Sequence, residues 1–235
     1  MSSADDVERA LRPASPHAPA ASLICVENTH NGAGGAISTL AELESIRTLA
    51  DAHRLPVHMD GARLWNASVA TGTPLADFGR GAQTVMLSFS KGLGCPVGAI
   101  LVGDEPVIRR AHMVRKRLGG GMRQSGILAA AALHALDAHL SRLVDDHASA
   151  RAFAEQVDGA GGARVVPPDT NIVMVDLPDG VTSAEVVAGA REAGVLLSPW
   201  HTSRVRAVTH LDVDADAVTS AGRTVRGIIE RLAGA

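Results

Sequence analysis

Lys91 occupies a position in the sequence where a lysine can do chemistry. It follows residues 84–89, a largely apolar run typical of a buried strand, and it precedes the glycine-rich segment 92–98. A lysine at the end of a strand is well placed to form a Schiff base with a carbonyl cofactor such as pyridoxal phosphate. The alternative is an ordinary solvated lysine, since most lysines lie at protein surfaces. The case for chemistry therefore depends on the residues that accompany Lys91.

Asp60 is the first of these companions, because it directly follows a second predicted strand at 55–59. Ligands of open α/β sheets bind in the crevice beyond the carboxyl ends of the strands, so Asp60 and Lys91 are both expected at that edge. A carboxylate there could pair with a protonated pyridine nitrogen while the lysine holds the aldehyde carbon. The alternative is that Asp60 caps a helical segment that begins near Ala62.

The order of the predicted elements indicates an α/β domain followed by a smaller unit. Strands predicted at 22–26, 55–59, 84–89 and 97–102 alternate with helical periodicity, and this alternation favours a mostly parallel sheet with flanking helices. We expect this large domain to occupy residues 1–145.

A small α+β domain is expected over residues 150–235. Its predicted strands lie at 171–177, 195–198 and 205–211, and its predicted helices lie at 182–193 and 214–232. Thr182 is expected to cap the first of these helices, and Thr39 with Glu42 fits a capping box in the large domain.

Composition excludes several classes of protein. The 235 residues are 46% hydrophobic but only 2% aromatic, so alanine and aliphatic side chains must fill the core. A net charge of −3 gives no electrostatic footprint for nucleic acid, and the basic cluster at 109–117 is interpreted as a solvated helix face, with phosphate or carboxylate binding as the alternative. No apolar stretch reaches the ~20 residues of a membrane span, and no signal peptide is evident, so a cytoplasmic protein is expected.

Cys25 and Cys95 both lie in apolar, strand-like settings, and we expect them to be reduced core residues. The sequence contains no dinucleotide fingerprint, no phosphate-binding P-loop and no nucleophile elbow. It also lacks a recognised spacing of metal ligands, so we expect no metal site.

Five sequence blocks together resemble the low-specificity threonine aldolases, within the β-eliminating lyase group of fold-type I pyridoxal-phosphate enzymes. The blocks follow the order of that family along nearly the whole chain. They are ENTHNG (27–32), HMDGARL (58–64), LSFSKGLGCPVG (87–98), RKRLGGGMRQ (115–124) and RAVTHLD (206–212). The resemblance implies a fold-type I large domain that is incomplete in this chain, followed by the small domain.

The resemblance implies roles for three residues around the cofactor, pyridoxal 5'-phosphate. Lys91 matches the lysine that binds the cofactor covalently. Asp60 matches the carboxylate that pairs with the pyridine nitrogen, and this pairing keeps the ring protonated as an electron sink. Arg63 matches an arginine near the 3-hydroxyl group of the cofactor.

Four further residues are implied to act on the amino-acid substrate. Arg206 matches the arginine that holds the substrate carboxylate, a task for which its planar fork suits it better than lysine. Lys116 and Arg123 match basic residues that line the site and can act across a subunit interface. His17, thirteen residues before His30, matches a histidine near the substrate hydroxyl, although a solvated loop residue is the alternative.

The implied reaction is the aldol cleavage of β-hydroxy-α-amino acids, which converts threonine or allo-threonine to glycine and acetaldehyde. A general base near the hydroxyl is required, and His17 or a bound water could serve. One alternative is a β-eliminating lyase that releases ammonia and a keto acid. Another is a non-catalytic remnant that dimerises or binds a partner.

The sequence departs from the family pattern near its start. Family members carry a Ser/Thr-Gly loop for the cofactor phosphate and a ring-stacking histidine before the segment with which this chain begins. We therefore expect exposed sheet edges and exposed apolar helix faces. We also expect a homo-oligomer, either a dimer or a tetramer, or a partner chain that supplies the N-terminal region.

Overall fold

A computed structural model describes residues 3–13 and 15–234, and the chain divides into two compact units. Unit 1 consists of Met1–Thr29 and Ile37–Leu140, and unit 2 consists of His30–Ala36 and Ser141–Ala235. The short segment His30–Ala36 therefore belongs to unit 2, although the residues on both sides of it in the sequence belong to unit 1.

Unit 1 is built on a four-stranded sheet in which the strands follow their order in the chain. Its strands are β1 (Ile24–Glu27), β2 (Val57–Gly61), β3 (Thr84–Ser88) and β4 (Ala99–Gly103). The first three strands are parallel, and β4 runs antiparallel to β3. The helices of this unit are α1 (Ala4–Ala10), α2 (Leu40–Ala52), α3 (Leu64–Thr71), α4 (Leu75–Gly79), α5 (Glu105–Arg117) and α6 (Gly126–Ala138).

Helix α2 shows how local sequence and packing cooperate in unit 1. The hydroxyl of Thr39 accepts a hydrogen bond from the Glu42 backbone, and the Glu42 carboxylate accepts one from the Thr39 backbone, so the predicted capping box is present. Ile46 lies on the buried face of α2 and packs with Ile24 of β1 and Val57 of β2. The apolar face of the helix thereby fixes the strands that lead to Glu27 and Asp60.

Unit 2 is a separate α+β structure around an antiparallel sheet. Its strands, in the spatial order β5-β6-β8-β7, are β5 (Arg164–Val166), β6 (Ile172–Asp176), β7 (Ser198–His201) and β8 (Arg204–Val208). Its helices are α7 (Leu143–Val157), α8 (Ser183–Glu192) and α9 (Ala215–Ala233). Val, Ile, Leu and Ala side chains, joined by Phe153, form its core. Thr182 caps α8 as predicted.

The predicted fold class is confirmed: unit 1 has a mostly parallel sheet with helices, and unit 2 is α+β. The expected exposure of apolar surface is also found. On β4 the exposed fractions of Ile100, Leu101 and Val102 are 42%, 39% and 49%. Helix α6 is rich in leucine and alanine, but among its residues only Ala135 is buried.

The expectation that both cysteines lie in the core is right for Cys95 and wrong for Cys25. Cys25 is exposed because alternate residues of a strand face opposite sides, and Ile24 takes the buried side of β1. Within the described part of the chain, no single helix is long and apolar enough to cross a membrane. Helices α6 and α7 meet that criterion only when they are counted together as one bent pair.

Candidate active site

The carboxyl ends of the parallel strands align at one edge of the unit 1 sheet. Glu27, the last residue of β1, lies opposite Asp60 of β2, and Asp60 lies opposite Met86 of β3. Lys91 follows the end of β3 by three residues. The strand register therefore assembles the acidic groups near the turn that carries the lysine.

The turn at Lys91 is held by its own backbone. The Gly94 amide donates to the carbonyl of Lys91 at 2.8 Å, and the Cys95 amide donates to the carbonyl of Phe89 at 3.1 Å. Gly94 has a φ of 72°, a conformation that glycine adopts without a steric penalty. Trp65 packs its ring against Phe89 with 5.6 Å between centroids. These contacts fix the main chain from which the exposed Lys91 side chain projects.

Three charged side chains act on the Lys91 amine. Partial desolvation lowers the pKa of Lys91, and the guanidinium of Arg63 lowers it further. The carboxylates of Asp60 and Glu27 act in the opposite direction. A lowered pKa increases the fraction of neutral amine, which is the nucleophilic form.

Asp60 is half-buried at the end of β2, and one of its carboxylate oxygens accepts a hydrogen bond from the Ala62 amide at 3.0 Å. The alternative role as a helix cap is not found, because α3 begins at Leu64 with Arg63 as its N-cap residue and has no side-chain cap. The carboxylate instead lies at the strand edge, where it acts electrostatically on Lys91.

Glu27 also belongs to this group, although no role for it is predicted from the sequence. Its position at the end of β1 is the same signal that identified Asp60, and it opens the first sequence block of the family resemblance. The rule that ligands bind beyond the carboxyl ends of parallel strands therefore applies to Glu27 as it does to Asp60.

Arg206 lies on β8 in unit 2 and is half-buried. One of its terminal nitrogens, Nη1, donates to the side-chain oxygen of Asn31 at 2.9 Å. The guanidinium carbon lies 5.3 Å from the centroid of the Trp200 ring. Its Nε is buried and has no hydrogen-bond partner among the described residues. A guanidinium held in this way has donor capacity for an anionic ligand.

The other three predicted site residues lie on exposed parts of unit 1. His17 is in a turn where its backbone amide donates to the Ser15 hydroxyl, Lys116 is in the last turn of α5, and Arg123 precedes α6. None of the three is among the groups that shift the pKa of Lys91. Their roles stay predictions. Among the described residues, no group of three His, Cys, Asp or Glu side chains is arranged to hold a metal ion.

The chain is similar in sequence to known proteins. A family model described as Beta-eliminating lyase matches residues 2–179. Low-specificity L-threonine aldolase 1 of Arabidopsis thaliana is 41% identical over 204 residues, which are 85% of this chain and 57% of that protein. The low specificity L-threonine aldolase of Escherichia coli (strain K12) is 37% identical over 228 residues, which are 97% of this chain and 66% of that protein.

Solved structures show the same fold. The Leishmania major threonine aldolase superposes with a TM-score of 0.76 at 19% identity and covers 97% of this chain, which corresponds to 67% of that protein. An aspartate aminotransferase variant of Thermus thermophilus superposes with a TM-score of 0.72 at 16% identity, over 97% of this chain and 63% of that protein.

The chain spans a little over half the length of the Arabidopsis relative. The resemblance to the low-specificity threonine aldolases is nevertheless confirmed by sequence identity over most of this chain. Because the family model matches residues 2–179, the chain belongs to the beta-eliminating lyase family.

Proposed function

We propose that this chain carries the chemistry of a pyridoxal-phosphate-dependent threonine aldolase. The proposal depends on the position and charge of Lys91, whose amine lies near the carboxyl edge of a parallel sheet. The pKa of Lys91 is lowered, and both Asp60 and Arg63 act on it electrostatically. The relatives named as low-specificity L-threonine aldolases support the same reaction. The substrates would be β-hydroxy-α-amino acids, and threonine or allo-threonine would give glycine and acetaldehyde.

The residues of unit 1 fit two ends of the cofactor. The beta-eliminating lyase family consists of pyridoxal-phosphate-dependent enzymes. Lys91 would bind the aldehyde carbon, Asp60 would hold a proton on the pyridine nitrogen, and Arg63 would lie near the 3-hydroxyl. Pyridoxal phosphate would supply an electron sink for the electron pair released as the Cα–Cβ bond breaks. Asp60 favours this because its charge stabilises the protonated form of the ring.

The substrate would be held by basic side chains. Arg206 would bind the substrate carboxylate through its guanidinium fork, and Lys116 and Arg123 would line the site. His17 or a water would take the proton from the β-hydroxyl. A cytoplasmic location stays a prediction.

Product analysis tests the proposed reaction. The purified chain is incubated with pyridoxal phosphate and threonine, beside the Lys91→Ala variant. We expect glycine and acetaldehyde in equal amounts from the unmodified chain and neither product from the variant. Ammonia with a keto acid would instead identify a β-eliminating lyase. Folded, cofactor-treated protein that forms no glycine, or a variant as active as the parent, would contradict the proposal.

We also propose that the chain works as a homo-oligomer, a dimer or a tetramer. The support is the exposed strand β4, whose apolar side chains face solvent on both sides of the sheet at a free edge. Exposed apolar edges of this kind mark association surfaces. A partner chain that covers the same strand is the alternative.

A further inference from the structure

We infer that Trp200 and Asn31 are positioning residues that fix the guanidinium of Arg206 for a carboxylate ligand. The ligand part rests on the proposed function, in which Arg206 binds the substrate carboxylate. The positioning part rests on contacts within unit 2, to which all three residues belong.

An irregularity in β7 places the Trp200 ring next to the Arg206 guanidinium. In the pairing of β7 with β8, Ser198 lies opposite Arg206 and His201 lies opposite Arg204, with a shift of register between Pro199 and His201. Trp200 is therefore the extra residue of a β-bulge, a feature that redirects side chains. Its ring lies over the Arg206 guanidinium at 5.3 Å, within the range of a cation–π contact.

Gly32 gives the indole the space that it needs. A Cβ atom added at Gly32 would lie 3.3 Å from Cζ2 of Trp200 and 3.2 Å from Cε1 of His30. Both distances are tighter than ordinary contacts, so a larger residue here would displace the ring. The backbone at Gly32 therefore lies against the Trp200 ring.

Asn31 holds the guanidinium from the segment His30–Ala36. Its side-chain oxygen accepts the hydrogen bond from Arg206 at 2.9 Å. The segment is itself fixed, since the Thr170 hydroxyl donates to the Gly35 carbonyl at 2.8 Å and the ring of His30 accepts from the Ala33 amide at 3.0 Å. The acceptor for Arg206 is consequently attached to an ordered backbone.

The side chain at position 31 is a neutral amide, and this determines whether the charge of the Arg206 guanidinium is neutralised. Arg204, two residues before Arg206 on β8, forms an ion pair with the carboxylate of Asp176. The guanidinium of Arg206 instead donates to the neutral amide oxygen of Asn31. This hydrogen bond orients the guanidinium without neutralising its charge. Its positive charge and its buried Nε therefore favour a carboxylate from a ligand.

Nuclear magnetic resonance of the arginine Nε–Hε groups tests the positioning without any cofactor. The heteronuclear NOE should be as high for Arg206 as for Arg204, which is the internal reference. In Trp200→Leu and Asn31→Ala it should fall toward the value of a mobile side chain, while Trp200→Phe should retain it. An Arg206 side chain that is mobile in the parent, or equally ordered in both disruptive variants, would overturn the inference.

Ligand binding tests the consequence. Dissociation constants for glycine and glycinamide are measured from the absorbance of the cofactor-loaded protein, and thermal unfolding checks that each variant is folded. Trp200→Leu and Asn31→Ala should weaken glycine about tenfold, because a mobile guanidinium must be ordered on binding. Asn31→Asp should weaken it more, since a carboxylate would then occupy the guanidinium. Glycinamide should change less than about twofold, because it lacks the carboxylate that Arg206 recognises.

The positioning role of Trp200 and Asn31 and the assignment of Arg206 to the substrate carboxylate can be contradicted independently. If the parent bound glycine no better than glycinamide, the assignment of Arg206 to the substrate carboxylate would be wrong, and the resonance data alone would decide the positioning role. If glycine binding were selective in the parent but unchanged in Trp200→Leu and Asn31→Ala, the positioning role would be wrong while the proposed function stood.

Discussion

Lys91 is surrounded by charges that act on its amine in opposite directions. Desolvation and Arg63 lower its pKa, whereas Asp60 and Glu27 raise it. The net lowering favours the neutral amine, which attacks an aldehyde. In the proposed function, Asp60 would also pair with the pyridine nitrogen, so the charged group around Lys91 would serve both ends of the cofactor ring.

The Asp60→Asn variant tests the proposed pairing of Asp60 with the pyridine nitrogen. The variant should reduce the rate of threonine cleavage by about 10- to 100-fold, since a hydrogen bond to a charged group contributes roughly 1.5–3 kcal/mol. Steady-state kinetics with saturating pyridoxal phosphate measures the effect. Asp51→Asn is the matched control, because Asp51 is exposed on α2 and pairs with Arg47. A rate for Asp60→Asn equal to that of the control would rule out this role of Asp60.

The site residues differ in how far the sequence predicts them. The sequence predicts Lys91 and Asp60 because each follows an apolar strand, and the carboxyl ends of parallel strands lie at one edge of the sheet. This signal does not predict Trp200 or Asn31. The hydrogen bond from Arg206 to Asn31 joins residues that are 175 positions apart in the sequence. The orientation of the Trp200 side chain depends on a β-bulge, and no local sequence pattern predicts that bulge.

At the scale of elements, local signals predicted the regular structure well. The capping residues Thr39 and Thr182 lie where their helices begin, because a cap depends only on the next few residues. The assignment of His30–Ala36 to unit 2 was not predicted. That assignment depends on contacts with distant residues, such as the bond from Thr170 to Gly35.

Helix α7 contains a buried histidine that should make folding sensitive to acid. His147 is 2% exposed, and burial, assisted by Arg151, lowers its pKa to about 4. Its pKa in an unfolded chain is about 6.5. The unfolded state therefore binds more protons between these values, and stability falls as the pH falls from about 6.5 to 4, by at most roughly 1.4 kcal/mol per pH unit.

Urea unfolding at pH 7 and pH 5 measures this loss. His147→Gln should reduce the difference between the two pH values, and His53→Gln, at an exposed position, should leave it unchanged. Asp146 acts in the opposite sense, because burial raises the pKa of its carboxyl group and the folded state then binds the proton more tightly. Comparing each variant with its parent cancels that contribution. An undiminished difference in His147→Gln would contradict the assignment.

For the whole molecule, the notable property is apolar surface on unit 1. Strand β4 exposes Ile100 and Val102 on one face of the sheet and Leu101 on the other. The sequence pattern predicts exposed sheet edges. It did not identify β4 as the edge, because strand order is set by pairing that the sequence pattern does not specify.

Light scattering coupled to size-exclusion chromatography tests whether this surface associates. The unmodified chain should elute with at least twice the 24.2 kDa mass of one chain. The double variant Ile100→Lys, Val102→Lys should shift toward the single-chain mass, because charges at an edge strand oppose association. Leu196→Lys, at an exposed apolar position of unit 2, is the control. A monomeric parent, or an unshifted double variant, would contradict the proposed homo-oligomer.

Identifying the lysine that binds pyridoxal phosphate covalently tests the proposed role of Lys91 and, with it, the proposed function. The chain contains only two lysines, Lys91 and Lys116, so the test has an internal reference. The protein is incubated with pyridoxal phosphate, reduced with borohydride and mapped by peptide mass spectrometry. We predict one label per chain, on Lys91, with loss of the visible absorbance of the bound cofactor and no label in Lys91→Ala. Labelling of Lys116 alone, or of neither lysine in folded protein, would contradict the proposed function.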